Sequence, residues 1–204
     1  MNEVQQSFNE IKFSNTLSIY KTNINNIDNH NLIKDLEYNC EVSKTTTYSN
    51  ENNPGTQSDI YLLSKNVNLL RDTIISKFIK FFNLNENYLL FKQDWVFISD
   101  KNNIYSTYHK HDAGPNLRFT KEKPQWSLTY YVSVPDFDNK LFFKENENEY
   151  SVNPNVGDLI LFPSSIMHRP EVNSTSLIKR VVYGMNIAIL DKNKEYNKKI
   201  KSLV

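Results

Sequence analysis

From Tyr88 onward the chain reads as a succession of short runs rich in Tyr, Phe, Val, Ile and Thr, broken by turn residues, with almost no helical periodicity between them. The runs are LLFKQDWVFISD, IYSTYHKH, WSLTYYVSV, KLFFKEN, DLILF and RVVYGMNIAIL. Strands at such close spacing predict a mainly β chain with a closed or double-sheet architecture.

The first part of the chain has a different rhythm. Over 66–84, Val67, Leu70, Ile74, Phe78 and Phe82 recur at steps of three and four, which predicts an amphipathic helix covering a sheet. A shorter helix is expected from Asp28 to Tyr38, with Leu32, Ile33 and Leu36 on its apolar side, and 41–55 reads as a polar surface loop. The 204 residues suffice for one substantial core. The expectation is therefore a single domain, with helical and loop support over 1–87, a β core over 88–190 and a charged tail over 191–204.

Charge and cysteine usage narrow the function classes. Lys and Arg number 24 against 23 Asp and Glu, a net charge of +1, so there is no large field to attract a long nucleic acid or an anionic membrane. The single cysteine, Cys40, allows neither an intrachain disulfide nor a Cys-rich zinc site, which fits a reducing cytoplasm. The opening MNEVQQSFNEIKF lacks the apolar stretch of a signal peptide. Nothing later reaches the roughly 18 apolar residues of a transmembrane helix.

Three of the four histidines stand where a metal site would place them. His109 and His111 lie in Tyr108-His-Lys-His-Asp112, at the end of an expected strand, where residues i and i+2 share a face about 6.5–7 Å apart. Two such imidazoles can reach one ion at about 2.0–2.2 Å. His168 follows a run in which Pro154 and Gly157 allow a tight turn, Leu159 to Phe162 form a buried strand, and Pro163 ends it. That unit is expected to present His168 at the far end of its strand, facing the barrel core. A lone histidine is more often a hydrogen-bonded structural residue, and an HxH pair alone recurs by chance. The conjunction with the His168 unit favours ligation, whereas His30, on the first helix, has no such context.

From Trp95 to Asn186 the chain resembles the 2-oxoglutarate- and iron(II)-dependent oxygenases common in phages and marine bacteria, related to the prolyl-4-hydroxylase branch. The resemblance is carried by Trp95; by His109 and His111; by Ser127 with Tyr130, Tyr131 and Val132; by Pro154, Gly157, Asp158, Leu159, Phe162, Pro163, Ser164 and His168; and by Arg180 and Asn186. It implies a double-stranded β-helix (jelly-roll, cupin-like) core with supporting N-terminal helices. The implied enzyme binds Fe(II) through His109, His111 and His168, uses 2-oxoglutarate and O2, and hydroxylates a small-molecule or peptidyl substrate with release of succinate and CO2. Arg180 would hold the far carboxylate of 2-oxoglutarate, since guanidinium binds carboxylate bidentately and keeps its charge. Tyr131 or Tyr130 would donate to the same carboxylate, alternation admitting only one of them, while Ser127, Asn186 and Trp95 are implied pocket residues. A cytoplasmic, phage-encoded protein is implied as well, and a homodimer is compatible with it.

Two departures from the family pattern stand out. The stretch between His111 and Ser127 is long and carries Arg118, Lys121 and Lys123, which reads as a lid over the site or as a solvated turn. The superfamily's usual HxD pair is here HxH, with Asp112 following. Adjacent strand residues face opposite ways, so the preferred ligand set is three histidines, with Asp112 orienting an imidazole or capping a turn. The alternative gives His109's place to Asp112. Two rival functions remain: a cupin-like three-His dioxygenase, lyase or isomerase without 2-oxoglutarate, which would not need Arg180, and a non-catalytic β-barrel binding protein.

Overall fold

Two helices form where caps and apolar stripes coincide. In this computed structural model, which describes residues 7–43, 56–60, 62–99, 107–111, 124–135, 139–171 and 178–192, α1 spans Asn29–Val42 and α2 spans Lys65–Phe81. The Asp28 and Ser64 side chains accept from the backbone N–H of Asn31 and Val67, satisfying donors that a helix start leaves open. In α2 the stripe Val67, Leu70, Ile74 and Phe78 is fully buried, each side chain contributing roughly 1.5–3 kcal/mol. Arg71 adds a polar pin, its Nε–H donating at 2.7 Å to Asp94, which also accepts from the Tyr183 hydroxyl. Among the described residues no helix is long and apolar enough to cross a membrane.

The helices cover one face of a seven-stranded antiparallel sheet. Its strands are β1 (Asn9–Lys12), β2 (Ser18–Asn23), β3 (Thr56–Asp59), β4 (Tyr88–Ser99), β5 (Trp126–Ser133), β8 (Asp158–Pro163) and β10 (Arg180–Asp191). They lie in the order β1-β2-β8-β5-β10-β4-β3. A second, three-stranded sheet, β7-β6-β9, is built from β6 (Leu141–Glu145), β7 (Asn148–Val152) and β9 (Met167–Pro170).

Alternation along the strands of the large sheet divides two cores. Leu128, Tyr130, Leu159, Leu161, Tyr183 and Met185 pack with the helices. Their neighbours of opposite parity, Tyr131, Ile160, Phe162 and Val182, pack with Leu141 and Phe143 of the small sheet. This second core holds the candidate site.

The first 87 residues do more than support this frame. Strand β2 pairs with β8 from Tyr20↔Leu161 to Asn23↔Asp158, and β3 pairs with β4, so both belong to the large sheet. Strand β2 is covered on both faces, Tyr20 packing toward the helices and Ile19 toward the small sheet, which erases the polar alternation of a half-exposed strand. The all-polar TQSD of β3 is an edge strand with only Ser58 buried. Strand β7 was missed as well: NEYSV is short, its Tyr150 and Val152 are only half-buried, and it follows a turn in which Asn146 takes a φ of 54°.

Gly157, at the turn into β8, has a φ of +86°, and a Cβ there would lie 3.2 Å from both Asn23 Nδ2 and the Ile24 carbonyl. Its N–H donates to Tyr131 O at 2.8 Å and its carbonyl accepts from Ile24 N at 2.9 Å, so the turn cannot drift to relieve a side chain. Gly157→Ala is expected to cost about 1–2 kcal/mol, from the left-handed backbone alone. Urea unfolding should show a lower midpoint with an unchanged slope.

Candidate metal centre

His168 does not stand at the end of β8. The chain reverses over 164–166, with Ile166 N–H bonded to the Pro163 carbonyl at 3.1 Å, and His168 falls on β9 of the small sheet, opposite Phe143. Its ring packs against Phe162 at 4.6 Å between centroids and is 4% exposed. The expected strand carrying His109 and His111 is, in its described part, a single bridge. His109 and His168 exchange N–H···O bonds of 3.0 and 2.9 Å, and the His111 N–H donates to Ser164 O at 2.9 Å. These backbone bonds bring the three side chains together. The nitrogen donors lie within 4.8 Å of one another, and the ring centroids are 4.4 Å (His109 to His168), 5.0 Å (His111 to His168) and 5.2 Å (His109 to His111) apart.

The donor chemistry fits a divalent ion. His168 Nδ1 lies 3.0 Å from the Ile166 carbonyl, and His109 Nδ1 lies 3.2 Å from the Thr107 carbonyl. A carbonyl can only accept, so both protons sit on Nδ1 and both Nε2 lone pairs are left for an ion. Burial, then the neighbouring His109 and His111, hold His168 well below the usual imidazole range. Desolvation lowers the basicity of His109 too, although the residue is exposed. Both shifts favour the neutral form that ligation requires. Asp112 and the loop with Arg118, Lys121 and Lys123 lie outside the described residues, as do residues 193–204 of the expected tail and the strand residues 104–106, while Asp191 belongs to β10. His30 is exposed on α1.

The same cavity, about 90 Å³ in volume, extends from the histidines to Arg180. Arg180 opens β10 and is only 1% exposed, with Nη1–H donating to the Glu171 carbonyl. Tyr131 lines this cavity as well; burial pushes its phenol up to about 12, against the nearby Arg180 charge. Tyr130 points the other way, into the helix-side core, where its hydroxyl donates to Asn29 of α1 at 2.9 Å. The expectation that Tyr130 contacts a cofactor is therefore corrected by strand parity. Ser127 lines the cavity, donates to Asn186 Oδ1 at 2.7 Å and lies 2.8 Å from the Ser164 hydroxyl. Asn186 is thus behind Ser127 and outside the cavity lining, and the trio underpins the Ser164 carbonyl that receives the His111 N–H.

Trp95 also lines the cavity, and its ring lies 5.2 Å from that of His111. Among the lining residues that went unnoticed in the sequence are Phe97 and Gln57. Phe97 shares Trp95's parity on β4 and could have been found from it, and Gln57 pairs with Phe97 across the ladder.

No protein-family model matches the chain, and no curated protein does. Solved structures do. The non-heme α-ketoglutarate-dependent carbocyclase SnoK from nogalamycin biosynthesis superposes with a TM-score of 0.66 at 10% identity, over 83% of this chain and 78% of that one. The viral collagen prolyl hydroxylase of Paramecium bursaria Chlorella virus-1 gives 0.57 at 13% identity, over 83% and 88%. A Trichoplax adhaerens prolyl hydroxylase, in complex with a hypoxia inducible factor oxygen degradation domain peptide fragment, gives 0.54 at 13%, over 85% and 84%. At such identities the likeness is one of fold, and the chain has the double-stranded β-helix fold of these 2-oxoglutarate/iron(II) oxygenases.

Proposed function

We propose that the protein is an Fe(II)- and 2-oxoglutarate-dependent oxygenase that hydroxylates a small-molecule or peptidyl substrate. The observation that carries this reading is the placement of three histidines and a buried arginine on one cavity. Iron(II) with 2-oxoglutarate supplies the oxidation of a C–H bond by O2, the keto acid leaving as succinate and CO2. The chain's own part is to hold and shield. His109, His111 and His168 present neutral nitrogens, so an ion held by them would keep its full charge and favour an anionic co-substrate. Arg180 offers a forked pair of donors for the far carboxylate, and the Tyr131 hydroxyl, kept protonated, can donate beside it. Leu141, Phe162 and Val182 line the wall with apolar surface that excludes water.

The neighbours of this fold include an enzyme of nogalamycin biosynthesis and a hydroxylase bound to a peptide. The small cavity suits either case, admitting a small molecule or one side chain of a peptide. A cytoplasmic setting is part of the proposal and rests on the single, half-buried Cys40. The rival three-His enzyme without 2-oxoglutarate has no use for a buried Arg180.

Anaerobic protein titrated with Fe(II) and then 2-oxoglutarate is expected to develop the weak visible charge-transfer band of a chelated keto acid. If protein shown to hold iron stays featureless, the oxygenase reading is wrong.

A further inference from the structure

Trp95 and Gly184 face each other across the β4–β10 ladder. A Cβ built on Gly184 would lie 2.4 Å from Trp95 Cε2, 2.5 Å from Cζ2 and 2.7 Å from Nε1. Carbon atoms in folded proteins do not approach so closely, so the indole lies over the glycine in space that any side chain would fill. Gly157 is the one described glycine with positive φ. Gly184 has ordinary strand geometry, and β10 needs a glycine here for room and not for conformation.

The indole has His111 as another neighbour, with ring planes inclined at 36°. His111 is not part of a regular strand, and its backbone N–H donates to the Ser164 carbonyl. A backbone bond sets where a residue starts and leaves χ1 and χ2 of its imidazole to its surroundings. A rigid indole seated on a central strand is such a surrounding.

We propose that Gly184 and Trp95 are positioning residues of the metal centre: the glycine seats the indole, and the indole sets the orientation of the His111 ring. The inference rests on the reading of the three histidines as metal ligands. It assigns a role to the Trp95–Gly184 pair without requiring either residue to touch the ion. A side chain at 184 displaces the indole from its seat beside His111, and removing the indole takes away one of the rings against which that imidazole lies.

The test uses cobalt(II) as the probe, because its visible bands report both affinity and ligand geometry. Four full-length proteins are compared: wild type, Gly184→Ala, Trp95→Ala and the double variant. Gly184→Ala is expected to weaken cobalt(II) binding at least about tenfold, the scale on which outer partners of metal ligands act, and to shift the visible bands. In the Trp95→Ala background the same glycine substitution should have no further effect on affinity or bands, since the indole it displaces is gone. Trp95→Phe, a smaller ring in the same place, is expected to bind with shifted bands and serves if Gly184→Ala does not fold.

Wild-type affinity and bands in Gly184→Ala would overturn the positioning role and leave the metal centre standing. So would an undiminished glycine effect in the Trp95→Ala background, or wild-type bands in Trp95→Phe. Failure of folded wild-type protein to take up cobalt(II) would overturn the metal centre and the inference with it.

Discussion

His168→Ala is expected to abolish stoichiometric metal uptake while the fold survives. His168 is the most buried of the three candidate ligands, and its Nδ1–H is tied to the Ile166 carbonyl, so its Nε2 has the least freedom to look elsewhere. Loss of an outer partner already lowers metal affinity about 10–100-fold, and loss of a ligand costs more. The backbone bridge to His109 uses only main-chain atoms and does not depend on the imidazole. Truncation does leave a gap beside Phe162, so a modest fall in thermal midpoint accompanies the loss. Metal analysis of dialysed protein, with calorimetric titration of iron(II) or cobalt(II), gives the answer. Full retention of metal would remove His168 from the ligand set. Run in parallel, His109→Ala and Asp112→Ala decide between the two ligand sets: metal kept by the first and lost by the second would put Asp112 in the place of His109.

Arg180→Ala should separate co-substrate binding from metal binding. The guanidinium is buried in the cavity wall, where a charge-assisted pair with a carboxylate is worth far more than at the surface. Truncating one side of such a pair costs about 2–5 kcal/mol, which corresponds to a loss of roughly thirtyfold or more in 2-oxoglutarate affinity. Metal affinity should stay at the wild-type value, because Arg180 is on β10 and the three histidines are held by bonds that do not involve it. Arg180→Lys is expected to fall between, since an ammonium supplies charge without the forked geometry. The keto-acid dissociation constant of the iron-loaded protein, followed through its visible band, is the measurement. An unchanged constant in a folded variant would move the carboxylate site elsewhere.

The parts of this structure that the sequence announced are those with one buried face. The stripe of α2 from Val67 to Phe78 meets the sheet on one side and solvent on the other, so its period survives in the letters. The Pro154–Pro163 unit was legible because Gly157 and the prolines restrict the backbone locally. Strand β5 has both faces buried, so parity told that Tyr130 and Tyr131 part company without telling which of them enters the cavity. Only the position of α1, with Asn29 against Tyr130, decides it. The strands β2 and β3 were lost because covered or wholly polar strands do not alternate, and β7 because its alternation is carried by only Tyr150 and Val152. The location of His168 was misjudged by one strand, because the reversal after Pro163 is fixed by long-range backbone bonds, from Ser164 N to Gln125 O and from His168 N to His109 O. The role of Gly184 was invisible for a similar reason: the space it leaves is filled by Trp95, a residue 89 positions away in the chain.

His168 belongs to the small sheet, while Arg180 and Tyr131 belong to the large one, and among the described residues no strand of one sheet pairs with a strand of the other. The two leaves therefore meet through side chains, which resist sliding by packing and not by a ladder of directional bonds. Under the proposed function, an ion with its keto acid, held by His168 on one leaf and by Arg180 on the other, would act mechanically as a rivet through the sandwich. Occupancy and stiffness of the seam would then rise together, since a ligand that binds only the folded arrangement of both leaves stabilises it by mass action.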